Sequence, residues 1–297
     1  MNNSPDILCI GSVLWDVIGR STRDMRVGSD VPGRIRRLPG GVAMNIAMTL
    51  RTFGMTPAIL TAIGQDREGE ELIAEALTMG LMCDYVYRSE DLPTDVYMAI
   101  EGASGLIAAI ADAHSLEAAG DKILAPLANG DLGDKHSPYD GTIALDGNLT
   151  VALLENIASS PLFANADLRV APASPGKAER LLALMGHPSA TLYVNLEEAG
   201  LLCGTTFADS ESAACGLVAR GASRALVTDG AAAASDANDA EVITQTPPTV
   251  VVSRVTGAGD TFMAAHIASD VQGLDRQTSL SRALQAAATF VSGETPQ

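Results

Sequence analysis

The stretch Val255-Thr256-Gly257-Ala258-Gly259-Asp260 sets two glycines around an alanine and ends on a carboxylate. A β-rich run, Thr249-Val250-Val251-Val252, enters it, and an Ala/Met-rich helical pattern from Thr261 to His266 leaves it. Glycines remove the side chains that keep a ligand off the backbone, and the N–H groups at a helix start have no intrahelical partner and favour an anion. Asp260 on that first turn is placed to accept a proton from an attacking hydroxyl. Anion-binding amides beside a carboxylate base suit phosphoryl transfer, where catalysis is mostly positioning and charge stabilisation. The plainer alternative is a Gly-rich βα turn with Asp260 as a helix cap.

Two further stretches carry polar groups where ligands bind. Ile7-Leu8-Cys9-Ile10-Gly11 reads as a buried parallel strand, and Asp16 follows in the loop expected at its carboxyl end, the usual ligand crevice of an open α/β sheet. A turn-capping aspartate explains Asp16 equally well. Pro39-Gly40-Gly41-Val42-Ala43-Met44-Asn45 leads into a helical run, Ile46 to Phe53, and its adjacent glycines admit a ligand close to the backbone. Asn45 can donate and accept towards a hydroxyl, or simply sit at a helix start.

Other chemistry is excluded by spacing. Cys9, Cys83, Cys203 and Cys215 make no paired metal spacing, and Cys9 and Cys203 read as buried small hydrophobes. His114, His136, His187 and His266 form no metal-binding pair. The net charge of −17 repels nucleic-acid backbones and anionic membranes, so neither is an expected partner. Arg34, Arg36 and Arg37 form the one basic knot, read as a solvated strand face. No apolar run reaches about 18 residues and the opening Met1-Asn2-Asn3 begins no signal peptide, so a soluble cytoplasmic protein is expected.

The elements that must position these groups alternate. Strands are expected over Ala58 to Ile63, Gly141 to Asp146, Leu168 to Ala171, Thr191 to Asn195 and Arg224 to Thr228. Helices fit Glu68 to Met79, Thr150 to Ala158, Lys177 to Met185, Glu197 to Leu202 and Glu211 to Arg220, with a mobile polar loop from Ala231 to Ala240. This order predicts right-handed crossovers and a mostly parallel sheet with helices on both faces. Two β-rich pieces, 18–38 and 94–112, predict a small second sheet able to close over a substrate. One domain spans 1–297.

Several of these stretches, in this order, resemble the ribokinase-like family of carbohydrate and nucleoside kinases. Gly40, Gly41 and Asn45 are similar to its N-terminal signature and Thr256 to Asp260 to its C-terminal one; Asn195-Leu196-Glu197-Glu198 resembles its Asn-x-x-Glu element, and Val227-Thr228-Asp229-Gly230 its nucleotide segment. The resemblance implies a Rossmann-like α/β fold with a β-sheet lid and MgATP-dependent phosphorylation of a primary hydroxyl. It makes Asp260 the base and the Gly257, Ala258 and Gly259 amides the anion hole. Asp16, Gly40, Gly41 and Asn45 would bind the acceptor. Thr228, Gly230, Thr256, Gly257 and Gly259 would hold ATP, and Asn195 and Glu198 would help place magnesium. Val255 stands where the family usually has an aspartate tied to monovalent-cation activation, and Ala233 where the nucleotide segment usually has a second glycine.

Within the family, Pro32-Gly33-Arg34-Ile35-Arg36, the Val-Thr-Gly-Ala-Gly-Asp form and Ala109-Ile110-Ala111-Asp112 are most similar to pseudouridine kinases. That implies pseudouridine 5′-phosphate as product, with Asp112 near the substrate or else a lid-surface carboxylate. The alternatives are a sugar kinase acting on ribose, a ketohexose or a 2-keto-3-deoxy sugar acid, and a non-catalytic sensor. The family also implies a homodimer paired through the lid.

Overall fold

Short apolar runs, each ending on a glycine or a polar residue, build the large sheet. The computed structural model describes residues 4–293 apart from Val27 and Ser104; the opening Met1-Asn2-Asn3 and residues 294–297 lie outside it. The chain begins with β1 (Ile7–Ile10), β2 (Leu14–Arg20), β3 (Arg34–Gly40) and α1 (Val42–Thr52). It continues through β4 (Pro57–Leu60), β5 (Ala62–Gly64), α2 (Arg67–Thr78), β6 (Tyr87–Ser89), β7 (Val96–Gly102), β8 (Gly105–Asp112) and α3 (His114–Ala119). Then come β9 (Thr142–Asp146), α4 (Val151–Ser159), β10 (Asp167–Ala171), β11 (Ala190–Asn195), α5 (Leu196–Cys203), α6 (Ser210–Ala219) and β12 (Arg224–Thr228). β13 (Ala234–Asn238), β14 (Val242–Gln245), α7 (Ala258–Val271) and α8 (Arg276–Ser292) close the chain.

The main sheet runs β14-β13-β12-β11-β10-β9-β1-β4, parallel from β12 to β4, with β13 and β14 added antiparallel at one edge. Side chains alternate between its faces. Leu8 and Ile10 of β1 enter a core shared with α3, α4, α5 and α6, while Ile7 and Cys9 enter one shared with α1, α2, α7 and α8. Both faces are therefore covered, which is why the strands read as unbroken apolar runs. Helix α7 is buried continuously from Thr261 to Ser269, as a helix wedged between a sheet and two neighbours must be. No helix among the described residues is long and apolar enough to cross a membrane.

A second sheet, β3-β2-β7-β8, joins segments far apart in sequence. It begins earlier than the composition suggested: β2 starts at Leu14, so Asp16 lies on a strand, opposite Leu38 of β3 and Tyr97 of β7, and not in a loop after β1. Arg34, Arg36 and Arg37 are exposed on β3; Arg37 lies 3.8 Å over the Trp15 ring and 2.7 Å from Glu71.

Other expectations change as well. The run Ala58 to Ile63 is two strands: β4 stays in the main sheet and β5 leaves it to pair with β6. Residues 175–184 form a 3₁₀ helix starting on Pro175, two residues before the helix expected over Lys177 to Met185. The supposed mobile loop from Ala231 contains β13, whose Ser235 and Asp236 are fully buried, because their side chains find partners inside. Thr249 to Val252 forms no strand; Val251 and Val252 are exposed without a ladder partner, and the chain is instead tied to the end of α8 by Ser253 and Arg254 amides donating to the Val291 carbonyl. Cys9 is buried as expected, but Cys203 is only half-buried at the end of α5.

Gly41 is where β3 turns into α1, at φ 94° and ψ 151°, a region held almost only by glycine. A Cβ there would also run into the Ser12 carbonyl. Gly41→Ala is expected to destabilise the protein by roughly 1–3 kcal/mol, the usual weight of such strain. Urea unfolding reads this as a lower midpoint at unchanged slope; an unshifted midpoint would show that the turn relaxes freely.

Candidate active site

The carboxyl ends of the parallel strands meet along one edge of the sheet. Gly11 follows β1, Asp146 closes β9, and Asn195 and Thr228, directly opposite each other, close β11 and β12. A polar crevice at this edge is where open α/β sheets bind ligands.

Asp146 organises the crevice although no motif marks it. Its Oδ2 accepts from the Ser12 amide at 2.6 Å, the Ser12 hydroxyl at 2.8 Å and the Ala43 amide at 3.2 Å, while Oδ1 accepts from the Asn148 amide at 2.6 Å. It is fully buried, and burial pushes its carboxyl above the usual range against these hydrogen bonds. Gly11 leaves the space that the carboxylate fills. Ser12 extends the net: its hydroxyl accepts from the Val42 amide at 2.9 Å and from Asn148 Nδ2 at 2.8 Å, and Lys177 Nζ donates to Asn148 Oδ1 at 2.5 Å. The sequence signal for this group was slight: an acid closing a buried strand and followed at once by Gly147-Asn148.

Asp260 sits in the first turn of α7, but it is not the cap. The N-cap is Gly257, at φ 91°, and no side chain caps the helix. Asp260 Oδ2 instead accepts from Asn45 Nδ2 at 2.8 Å, joining α7 to α1 across 215 residues of sequence. Its carboxyl is pushed up to about 7, first by burial and then by the charges of Asp146, Asp16 and Glu198, with the Asn45 bond pulling the other way. Asp16 is itself raised to about 6 by burial. Three carboxylates thus lie close enough to Asp260 for their charges to oppose its ionisation.

The other residues singled out by sequence fall as follows. Asn45 is in the second turn of α1, and Gly40 at the end of β3 clears the space taken by the Asp16 carboxylate. Of the amides in the Gly-rich turn, that of Ala258 is already used, donating to the Val255 carbonyl at 3.0 Å. The first-turn donors left without an intrahelical acceptor are those of Gly259 and Asp260. Asn195 and Glu198 bind each other's backbone in a capping box at the start of α5: Asn195 Oδ1 accepts from the Glu198 amide at 2.9 Å and Glu198 Oε2 from the Asn195 amide at 2.8 Å. Each side chain is thereby half committed, leaving Glu198 Oε1 and Asn195 Nδ2. Among the described residues no group of three His, Cys, Asp or Glu forms a metal cluster. Gly230, at φ 53°, makes the tight turn after Thr228, and Thr256 is exposed. Asp112, also exposed, closes β8 opposite Val96.

The pfkB family carbohydrate kinase model matches residues 4–297. An uncharacterized sugar kinase of Escherichia coli is 29% identical, over 94% of this chain and 76% of its own. The pseudouridine kinase of Escherichia coli is 26% identical, over 92% of this chain and 86% of its own. In fold, the chain is similar to Arabidopsis thaliana ribokinase complexed with ribose and ATP, with a TM-score of 0.76 at 22% identity, covering 97% of this chain and 93% of that one.

The raised Asp260 carboxyl has a consequence for stability. Its folded value, about 7, lies above the ordinary 3.8, so the folded protein holds this proton more tightly than the unfolded chain does. Stability contributed by that proton is present in acid and lost as pH rises through about 7. Asp260→Asn is therefore expected to melt above wild type at pH 8, with the gain shrinking towards pH 4. A variant that melts below wild type at every pH would mean that the carboxylate stabilises the helix after all.

Proposed function

This chain belongs to the pfkB family of carbohydrate kinases, and we propose that it transfers the γ-phosphoryl group of ATP to the 5′-hydroxyl of pseudouridine. The observation that carries phosphotransfer is the Asn45–Asp260 bond at the amide-rich start of α7. It holds a carboxylate whose proton affinity, near pH 7, matches a general base working at neutral pH. The hydroxyl oxygen attacks the γ-phosphorus as its proton passes to Asp260, and the bond to the β-phosphate oxygen breaks to release ADP. The Gly259 and Asp260 amides, with Gly257, stabilise charge on the phosphoryl group. Asp16, Gly40, Gly41 and Asn45 hold the sugar, and the sheet β3-β2-β7-β8 acts as a lid, within one domain, bringing Asp112 towards the substrate. Thr228, Gly230 and Thr256 bind the nucleotide. The ATP of the Arabidopsis ribokinase supports the donor, and the Escherichia coli pseudouridine kinase the acceptor. Exposed Ile35, Leu106 and Ile110 on the lid support a homodimer through that sheet.

Magnesium fits the residues present. Glu198 is nearly buried, keeps one carboxylate oxygen outside its capping box, and adds negative charge at Asp260. Such a group suits an ion held mainly by water and phosphates. When bound, the ion would neutralise phosphate charge; Glu198 and Asn195 would orient its water shell.

A free sugar is the second acceptor reading, favoured by the slightly greater identity to the uncharacterized sugar kinase. ADP release measured over a panel of nucleosides and sugars separates these acceptors, and turnover of none would favour a sensor. On the best acceptor, Asp260→Asn is expected to lower kcat by roughly 10²–10⁴-fold with little change in substrate affinity, the weight of a general base. Near-normal turnover in the folded variant would remove Asp260 from the chemistry. Glu198→Gln keeps an oxygen for the Asn195 amide, so the helix start survives. It should raise the Mg²⁺ concentration needed for half-maximal activity, and an unchanged Mg²⁺ titration would take Glu198 out of the ion's surroundings.

A further inference from the structure

A network of buried charge lies at the far end of α7 from Asp260, and the proposed chemistry uses none of it. Arg224 of β12 stands at its centre. Its guanidinium donates to both carboxylate oxygens of Asp236 on β13, at 2.9 and 2.7 Å, and to Asp270 Oδ2 on α7 at 2.7 Å. It also meets His266 Nε2 on α7 at 3.1 Å. An arginine only donates, so Nε2 of His266 is the acceptor, the ring is neutral, and Nδ1–H donates to the Tyr193 hydroxyl at 2.8 Å. Burial, which pushes His266 down to about 4, agrees with that neutral state.

The geometry joins the two sides of the proposed reaction. β12 runs from Arg224 to Thr228 and turns through Gly230 into β13, so Arg224 and Asp236 anchor the strand pair beneath the nucleotide turn. Asp270 and His266 are on the helix that carries Gly259 and Asp260. We infer that Arg224 is a positioning residue: its fork fixes the tilt of α7, and with it the place of Asp260, relative to the nucleotide turn between β12 and β13. This rests on the kinase reading above. Asp270 lies ten residues beyond Asp260, about 15 Å along the helix axis. Pivoting there by about 5° moves the first turn by about 1 Å, and a misplacement of that size costs up to about 10²-fold in rate.

Arg224→Lys keeps the charge but replaces the fork with a point that cannot serve both partners. The variant leaves no buried acid stranded, because Asp236 keeps Arg276 at 2.8 Å and Asp270 keeps Arg169 at 2.8 Å. It is expected to lower kcat by about tenfold or more and to raise KM for ATP, while KM for the acceptor stays within about twofold. In the ligand-free protein, amide hydrogen exchange should quicken over 257–262 and 228–234. Leu154→Ala, a fully buried core change in α4 on the opposite face of the sheet from α7, is the control, each protein being held equally far below its own melting temperature. Exchange at those segments and a kcat to KM pattern matching the control would overturn the inference. If Arg224→Lys does not fold, Asp270→Asn loosens the same helix end and carries the same expectations. Should wild type phosphorylate no acceptor, the kinase reading falls, and the exchange arm still decides this inference.

Discussion

The fully buried carboxylate of Asp146 is the point on which this end of the large sheet depends. It gathers the loop after β1, the start of α1 and the turn after β9 onto two oxygens. Isolated, a carboxylate there would cost several kcal/mol to desolvate, so four donors within 3.2 Å are the condition for its presence. Its donors tie three connections into one wall. Gly11 and Gly41 are glycines because this wall leaves no room for a Cβ.

On that wall the crevice concentrates charge of a single sign. Asp16, Asp146, Glu198 and Asp260 all ionise less readily than ordinary carboxylates, because each is desolvated and because the charges of the other three weigh on Asp260. The arrangement costs stability in the empty protein at neutral pH, and cationic or proton-donating ligands relieve it. The large two-sided core, with every residue of β1 and β4 buried, tolerates this strain.

Helix α7 carries the tension between the two demands. Its first turn must present free amides and a raised carboxyl, while its remainder is sealed against the sheet, α1 and α8. Gly257 lets the chain enter at positive φ, where a Cβ would lie 3.0 Å from the Phe290 ring. The far end is held by ion pairs to β10 and β12.

The amino-acid sequence alone determined the elements: buried apolar runs for β1, β9, β11 and β12, their alternation with helices, and a Gly-rich turn opening α7. These are legible because they follow from local periodicity and from glycine at places where the backbone demands it. Contacts between distant residues decided the rest. That Asp16 stands on a strand, that the run from Ala58 breaks between two sheets, and that Asp236 is buried in β13 depend on partners 12 to 25 residues away. Thr249 to Val252 has the composition of a strand and no neighbour to pair with, and remains irregular. Asp146 carries no motif, and Asp260 owes its bond to Asn45, 215 residues away, and its raised carboxyl first to burial and then to charges 62 to 244 residues away, none visible within a local window. Burial and charge around a group are properties of the folded surroundings, so only the tertiary structure decided which carboxylates hold a proton more tightly than usual.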